Sequence, residues 1–218
     1  MQLEVNGKQL QFEGSDADLG VIHELYTIPL YPRIAAMCHE GDVVVDIGAH
    51  QGGFSLMCAA YGAKVFAVDP QPHNMQMLMS NTVRSGLQNN ILGIMEAIGA
   101  KDGLADFGAS DNAHGFLAPI TYKGYVIKVH SQTLASFFNE YHIEHCKVLK
   151  CDCEGGEWQI FTDDAIPPLL HTDVVVIEWH SGEPQKLSEL LCRCGFFDVR
   201  TMYSPVPTLG AVVGIRND

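Results

Sequence analysis

The chain has 218 residues, 47% of them hydrophobic and 18% charged, enough apolar material for one sizeable core and too few charges for a disordered polymer. Lys and Arg number 13 against 26 Asp and Glu, a formal charge of -13. That balance disfavours polyanionic partners, so neither nucleic acid nor an anionic membrane surface is expected to bind, and lysines such as Lys147 and Lys150 stand isolated.

The N-terminal "MQLEVNGKQLQF" alternates polar and apolar residues and does not read as a secretory signal. No apolar run approaches membrane-spanning length. The seven cysteines are odd in number and mostly lie in apolar contexts, which predicts reduced thiols and a cytoplasmic location. Residues 3–12 predict a hairpin turning at Asn6-Gly7. Helical spacing over 17–38 is interrupted by Pro29 and Pro32 and predicts two short helices, or a helix and a loop. These segments, 1–40, are expected to form an N-terminal hairpin and helical cap on a main domain of residues 41–218.

From residue 43 apolar strands alternate with helical segments: "VVVDIG", "FSLMCAAYG", "KVFAVD", "HNMQMLMSNTVRSG", "NILGIMEAIG". Such alternation implies βαβ units and a parallel sheet. Residues 100–132 predict added β structure over or beside that sheet. A helix at 133–141, a strand at 147–152, a helix at 156–164, a strand at 173–180 and a helix at 184–194 follow. Two final strands, "FFDVRTMY" and "TLGAVVGIRN", are joined by a loop holding Pro205 and Pro207.

Ligands of open parallel sheets bind beyond the carboxyl ends of the strands. The residues expected there are Asp46, Asp69, Glu96, Asp152 with Glu154, and Glu178 with His180. A repeated acidic sign at strand ends points to a shared site. Glycines after the first strand let backbone approach a ligand. Their spacing, Gly48 to Gly52-Gly53, is not the G-x-G-x-x-G of dinucleotide binders. With Asp46 it looks more like the D-x-G-x-x-x-G loop of S-adenosylmethionine (SAM) enzymes, whose cationic ligand favours nearby acids. Asp69 would then accept both hydroxyls of a ribose.

"GDVVVDIGAHQGGFSL", "VFAVDPQPHNMQML", "AIGAKDGLADF", "LKCDCEGGEWQIF" and "VVIEWH" resemble, in order and spacing, the FkbM-type family of SAM-dependent methyltransferases over roughly residues 20–200. The most distinctive block, "LKCDCEGGEWQIF", is similar to the family's K-x-D-x-E-G-x-E. The resemblance implies a class I methyltransferase (Rossmann-like) fold: a mostly parallel seven-stranded sheet, helices on both faces and an antiparallel C-terminal strand supplied by the hairpin at 196–215. It implies SAM as cofactor, with Asp46, Gly48, Ala49, His50, Gly52, Asp69, Pro70, Asn74, Glu96, Ala97 and Asp152 as its binding set. Asn74 has a second reading as the start of the helix after "PQP". The chain departs from the family's usual pattern at His50, where Asn is common, at Asp69, where Glu is common, and at Ala135, where Asp follows Thr-Leu.

The activity implied is methyl transfer to an oxygen of a small molecule or glycan, with Asp152, Glu154, Glu178 and His180 on the acceptor side. His180, taken as substantially neutral at physiological pH, is the better base on intrinsic pKa, while Asp152 sits closer to the expected methyl position. Metal-free base catalysis is favoured over a divalent ion because no dedicated oxygen-rich loop is present. Glu154 and Glu157 have a plainer reading as caps of the following helix. Cys151, Cys153, Cys192 and Cys194 read as core cysteines rather than zinc ligands, Met75, Met77 and Met79 as core filler, and His145 and His171 as surface residues. A non-catalytic SAM-binding module and an NAD-dependent oxidoreductase are the alternatives.

Overall fold

In the computed structural model, Asn6 and Gly7 both take left-handed backbone angles (φ 49° and 72°). That is the mirror-image turn that matches strand twist, so β1 (Gln2–Val5) and β2 (Lys8–Gln11) pair antiparallel with Val5 opposite Lys8. The structure describes residues 1–108, 116–117, 125–204 and 208–216. The predicted loop at Pro205 and Pro207 lies outside the described residues, as do parts of the stretch 100–132.

The chain divides into two compact units, Met1–Met95 and Glu96–Asp218. In the first, α1 (Asp16–Thr27) starts on a capping box in which Ser15 and Asp18 satisfy each other's backbone N–H groups. Helix α2 (Leu30–Ala35) follows Pro29, so the two-helix reading holds. Strands β3 (Val43–Ile47), β4 (Lys64–Val68) and β5 (Ile91–Ile94) pair in parallel. They are connected by α3 (Gly53–Ala60), which is buried at every residue, and α4 (Pro72–Arg84). The N-terminal segment is bonded into this unit. Asn6 Nδ2 donates to the Ala60 carbonyl (3.2 Å), Glu13 N–H to Asn81 Oδ1 (2.9 Å), and the Tyr26 hydroxyl to the Gly53 carbonyl (3.2 Å).

The second unit holds a four-stranded sheet in the order β6-β9-β7-β8, built from β6 (Ala97–Ile98), β7 (Gly103–Gly108), β8 (Phe116–Leu117) and β9 (Val126–Gln132). "NILGIMEAIG" is therefore two strands in two sheets: β5 ends at Ile94 and β6 begins at Ala97. After α5 (Leu134–Glu140), β10 (Cys146–Cys151) pairs in parallel with β11 (Thr172–His180). The helix predicted at 156–164 is shorter and broken. α6 covers Glu157–Ile160, a 3-10 turn covers Asp163–Ala165, and α7 (Ile166–Leu170) carries prolines in its first turn. Prolines at 167 and 168 lack the N–H that would continue a helix through them, so they restart one instead. Helix α8 (Pro184–Arg193) leads to β12 (Asp198–Tyr203) and β13 (Leu209–Ile215). β13 runs antiparallel to both β11 and β12.

The main sheet has seven strands in the order β12-β13-β11-β10-β3-β4-β5, mostly parallel, with its antiparallel member β13 contributed by the C-terminal hairpin. Its interior strands are filled by Val44, Val45, Val148, Leu149, Val175, Val176 and Ile177, all fully buried. Near-continuous β-branched runs are what strands covered on both faces require. Among the described residues no helix is long and apolar enough to cross a membrane.

Candidate active site

In the first unit the loop after β3 is the organising feature. Gly48 has φ 71° and His50 φ 52°, an unusual angle for a non-glycine residue. The N–H groups of Gly48 and Ala49 both donate to the Val68 carbonyl, at 2.9 and 3.0 Å. His50 N–H then donates to Asp69 Oδ2 at 2.9 Å, so the glycine loop is clipped to the residue that follows β4. Asp69 is 5% exposed and also accepts the Gln71 N–H (2.9 Å) and the Asn74 amide (3.2 and 3.3 Å). A carboxylate offers about four acceptor positions. At least three chain donors already use Asp69, so a ribose diol has to share the carboxylate with them or displace the Asn74 amide.

Asn74 is not the cap of α4. Gln71 occupies that position, and Asn74 is buried in the first turn with its side chain turned back to Asp69. Asp46 lies inside β3 rather than at its end, is fully buried, and accepts the Ser55 hydroxyl at 2.6 Å. Gly52 has φ 90°, a left-handed angle that favours glycine, and a Cβ there would also crowd Leu56 Cδ1 at 2.7 Å and Leu78 Cγ at 3.2 Å. The His50 ring lies 3.8 Å from Asp18, so the capping box of α1 reaches this loop. Ala49 is buried and Pro70 half-buried.

In the second unit, Glu96 accepts the Gln132 amide at 2.8 Å and faces His130 at 3.4 Å. The Ala97 side chain packs with Phe107 and Val129. Asp152 follows the end of β10, and Glu154 (φ 52°) lies in the loop before α6. Glu178 and His180 share one face of β11, where side chains two apart point the same way. His180, its side chain 17% exposed, is the centre of this group. Nε2 is 3.9 Å from Asp152 and 3.6 Å from Glu154, and Nδ1 is 3.5 Å from Glu157. Burial pushes the imidazole pKa down. The close Glu157 carboxylate and the charges of Asp152 and Glu154 outweigh burial and raise it to about 9. His180 is thus an imidazolium at neutral pH, which corrects the expectation of a neutral ring. At 3.5 Å the Nδ1 contact is an ion pair rather than a hydrogen bond of ordinary length.

One atom from each of Asp152, Glu178 and His180 lies within 4.8 Å of the others, a spacing that a divalent ion could bridge. Lys150, 3% exposed, sets its ammonium 3.6 Å from Asp152 Oδ2, however. With the His180 imidazolium, two cations already sit against these carboxylates. The group is better suited to handling a proton than to holding a dication.

Cys151 is fully buried, and its sulfur lies 3.2 Å from that of Cys153, which is half-buried beyond the end of the strand. Cys194 is buried and Cys192 exposed, so the core reading fits two of the four. Met75 is buried, Met77 half-buried and Met79 exposed. His171 and His145 are exposed, the latter paired with Asp173 at 2.9 Å.

Sequence reasoning missed Asp18, Ser55 and Lys150 and undervalued Glu157. The S-x-x-D signature of a capping box marks Asp18. A lysine inside a buried strand two positions before an acid is a sign that Lys150 is paired.

The strand order with its antiparallel C-terminal member is that of the class I methyltransferase fold. A profile of the methyltransferase FkbM domain matches residues 46–197. The chain belongs to the FkbM methyltransferase family. No curated protein matches the chain. Among solved structures it is similar to an rRNA methylase from Streptococcus thermophilus, with 12% identity, a TM-score of 0.57 and coverage of 87% of this chain and 95% of that one. It is also similar to TrmK of M. capricolum in complex with S-adenosyl-homocysteine, with 11% identity, a TM-score of 0.53 and coverage of 87% and 69%. A third is precorrin-6y C5,15-methyltransferase from Geobacter metallireducens GS-15, with 12% identity, a TM-score of 0.52 and coverage of 86% and 88%. At these identities the likeness concerns the fold alone.

Proposed function

We propose that the protein transfers a methyl group from SAM to an oxygen of a small molecule or glycan. The observation that carries this reading is the glycine loop of residues 48–52 clipped to Asp69 through the His50 N–H. Its donor set fits the cofactor: a positive-φ glycine that gives backbone access, and an acid at the end of the next strand to receive ribose hydroxyls. Within the first unit Asp46, Gly48, Ala49, His50, Gly52, Asp69, Pro70 and Asn74 form this binding set. When bound, SAM supplies a methyl carbon already activated by its sulfonium.

The protein's remaining tasks are alignment and removal of a proton. His180 takes the acceptor's proton at Nε2, and Asp152, Glu154 and Glu178 stabilise the imidazolium that results. The carboxylates that keep His180 charged at rest also make its free form a stronger base. Turnover should therefore rise with pH toward about 9.

The testing experiment is methyl transfer from isotope-labelled SAM, screened against hydroxyl-bearing metabolites and glycans at pH 7 to 9. Label appearing as a methyl ether supports the reading. SAM binding with no transfer to any acceptor class would leave a non-catalytic module.

A further inference from the structure

The acidic group around His180 contains one carboxylate unlike the others. Glu157, the first residue of α6, is fully buried, whereas Asp152 and Glu154 are partly open to solvent. An ionised carboxylate withdrawn from water must be compensated by donors and opposite charge. Glu157 Oε2 accepts the Gly155 N–H at 2.9 Å, a bond local to its own loop. Its other oxygen leaves that loop: Oε1 accepts the His180 N–H at 2.5 Å and lies 3.5 Å from His180 Nδ1. One oxygen thus grips both the main chain and the ring of the same residue.

The next residue adds to the grip. Trp158 Nε1 donates to the His180 carbonyl at 3.1 Å. Its ring lies so close over Gly182 that a Cβ there would meet it at 2.7 Å. Ser181 and Gly182 turn away with φ 60° and 87°, so β11 ends where α6 holds it. If Glu157 only capped its own helix, the Gly155 bond would suffice and no contact to β11 would be needed.

We propose that Glu157 is a positioning residue for His180, holding its main chain and imidazole so that Nε2 is presented between Asp152 and Glu154. The inference rests on the reading of His180 as the base. Around the ring stand Glu157 on Nδ1, Asp152 and Glu154 on Nε2, Glu178 on the same strand face, and Lys150 behind Asp152. Only Glu157 is both fully buried and bonded to the His180 backbone. Its charge therefore acts on the imidazole with the least screening.

Glu157→Gln tests this, because glutamine keeps one oxygen for the His180 N–H and removes the charge, giving up only the acceptor that the Gly155 N–H uses. The His180 ring is followed by nitrogen-detected NMR across pH, alongside the pH profile of kcat/KM. In the parent the ring should titrate near pH 9. In Glu157→Gln both the titration and the ascending limb should move down together by about one pH unit, a tenfold loss of proton affinity, with SAM affinity changed less than about twofold. Glu157→Asp, which restores the charge at shorter reach, should recover part of the shift. An unmoved ring titration in folded Glu157→Gln overturns the proposal. Should the variants not fold, the parent alone decides: the Nδ1 proton of His180 must persist against exchange at pH 8, and rapid exchange there also overturns it. The ring titration needs no acceptor, so a ring that shifts in an enzyme without turnover refutes the methyl-transfer reading and leaves the positioning intact.

Discussion

The backbone N–H of His50 donates to the carboxylate of Asp69 at 2.9 Å, joining two loops that follow adjacent parallel strands. The bond makes Asp69 structural as well as ligand-directed, because Gln71 and Asn74 depend on the same two oxygens. Asp69→Ala should therefore lower SAM affinity by on the order of 2–4 kcal/mol, roughly 30- to 1000-fold. It should also lower stability by about 2–4 kcal/mol, since two backbone donors lose their acceptor. Calorimetric titration together with urea unfolding separates the effects. Unchanged SAM affinity in the folded variant would remove Asp69 from the site.

Metal dependence is decided by charge. Asp152, Glu178 and His180 stand close enough for a shared ion, yet the buried ammonium of Lys150 and the imidazolium of His180 already occupy that field. Dialysis against a chelator should leave turnover within about twofold of its starting value, since no step needs a Lewis acid. Loss of activity restored by magnesium or manganese would make these three residues ligands.

Much of the fold was legible because its signals are local. The Asn6-Gly7 turn, Pro29 between the first two helices and the β-branched runs at 43–47 and 174–177 each specify one backbone conformation. The segment after Glu157 was not legible as it stands. Its composition suits one helix, and only the pair Pro167-Pro168 hints at the break into α6, a 3-10 turn and α7. The candidate site divides in the same way. Residue type and spacing mark Asp69, Asp152 and His180, but the protonation of His180 depends on the side chains around it. Glu157 closes the K-x-D-x-E-G-x-E motif, but its contact with His180, 23 positions away in sequence, is visible only in the fold.

The partner class follows from net charge. At -13, and with Lys150 paired inside the fold rather than exposed, the chain should pass through a heparin or DNA column at about 0.15 M salt without retention. Retention that falls steeply as salt rises would indicate a basic surface and return nucleic acid to the acceptor classes, despite the expectation from composition.

The central claim is that the 48–52 loop and Asp69 hold SAM rather than a dinucleotide. Calorimetric titration of the intact protein with SAM and, separately, with NADH tests it most directly. The account predicts a single saturable SAM site and no measurable heat from NADH, because the glycine spacing from Gly48 to Gly52 supplies no pyrophosphate cradle. Saturable NADH binding with no SAM binding would contradict it.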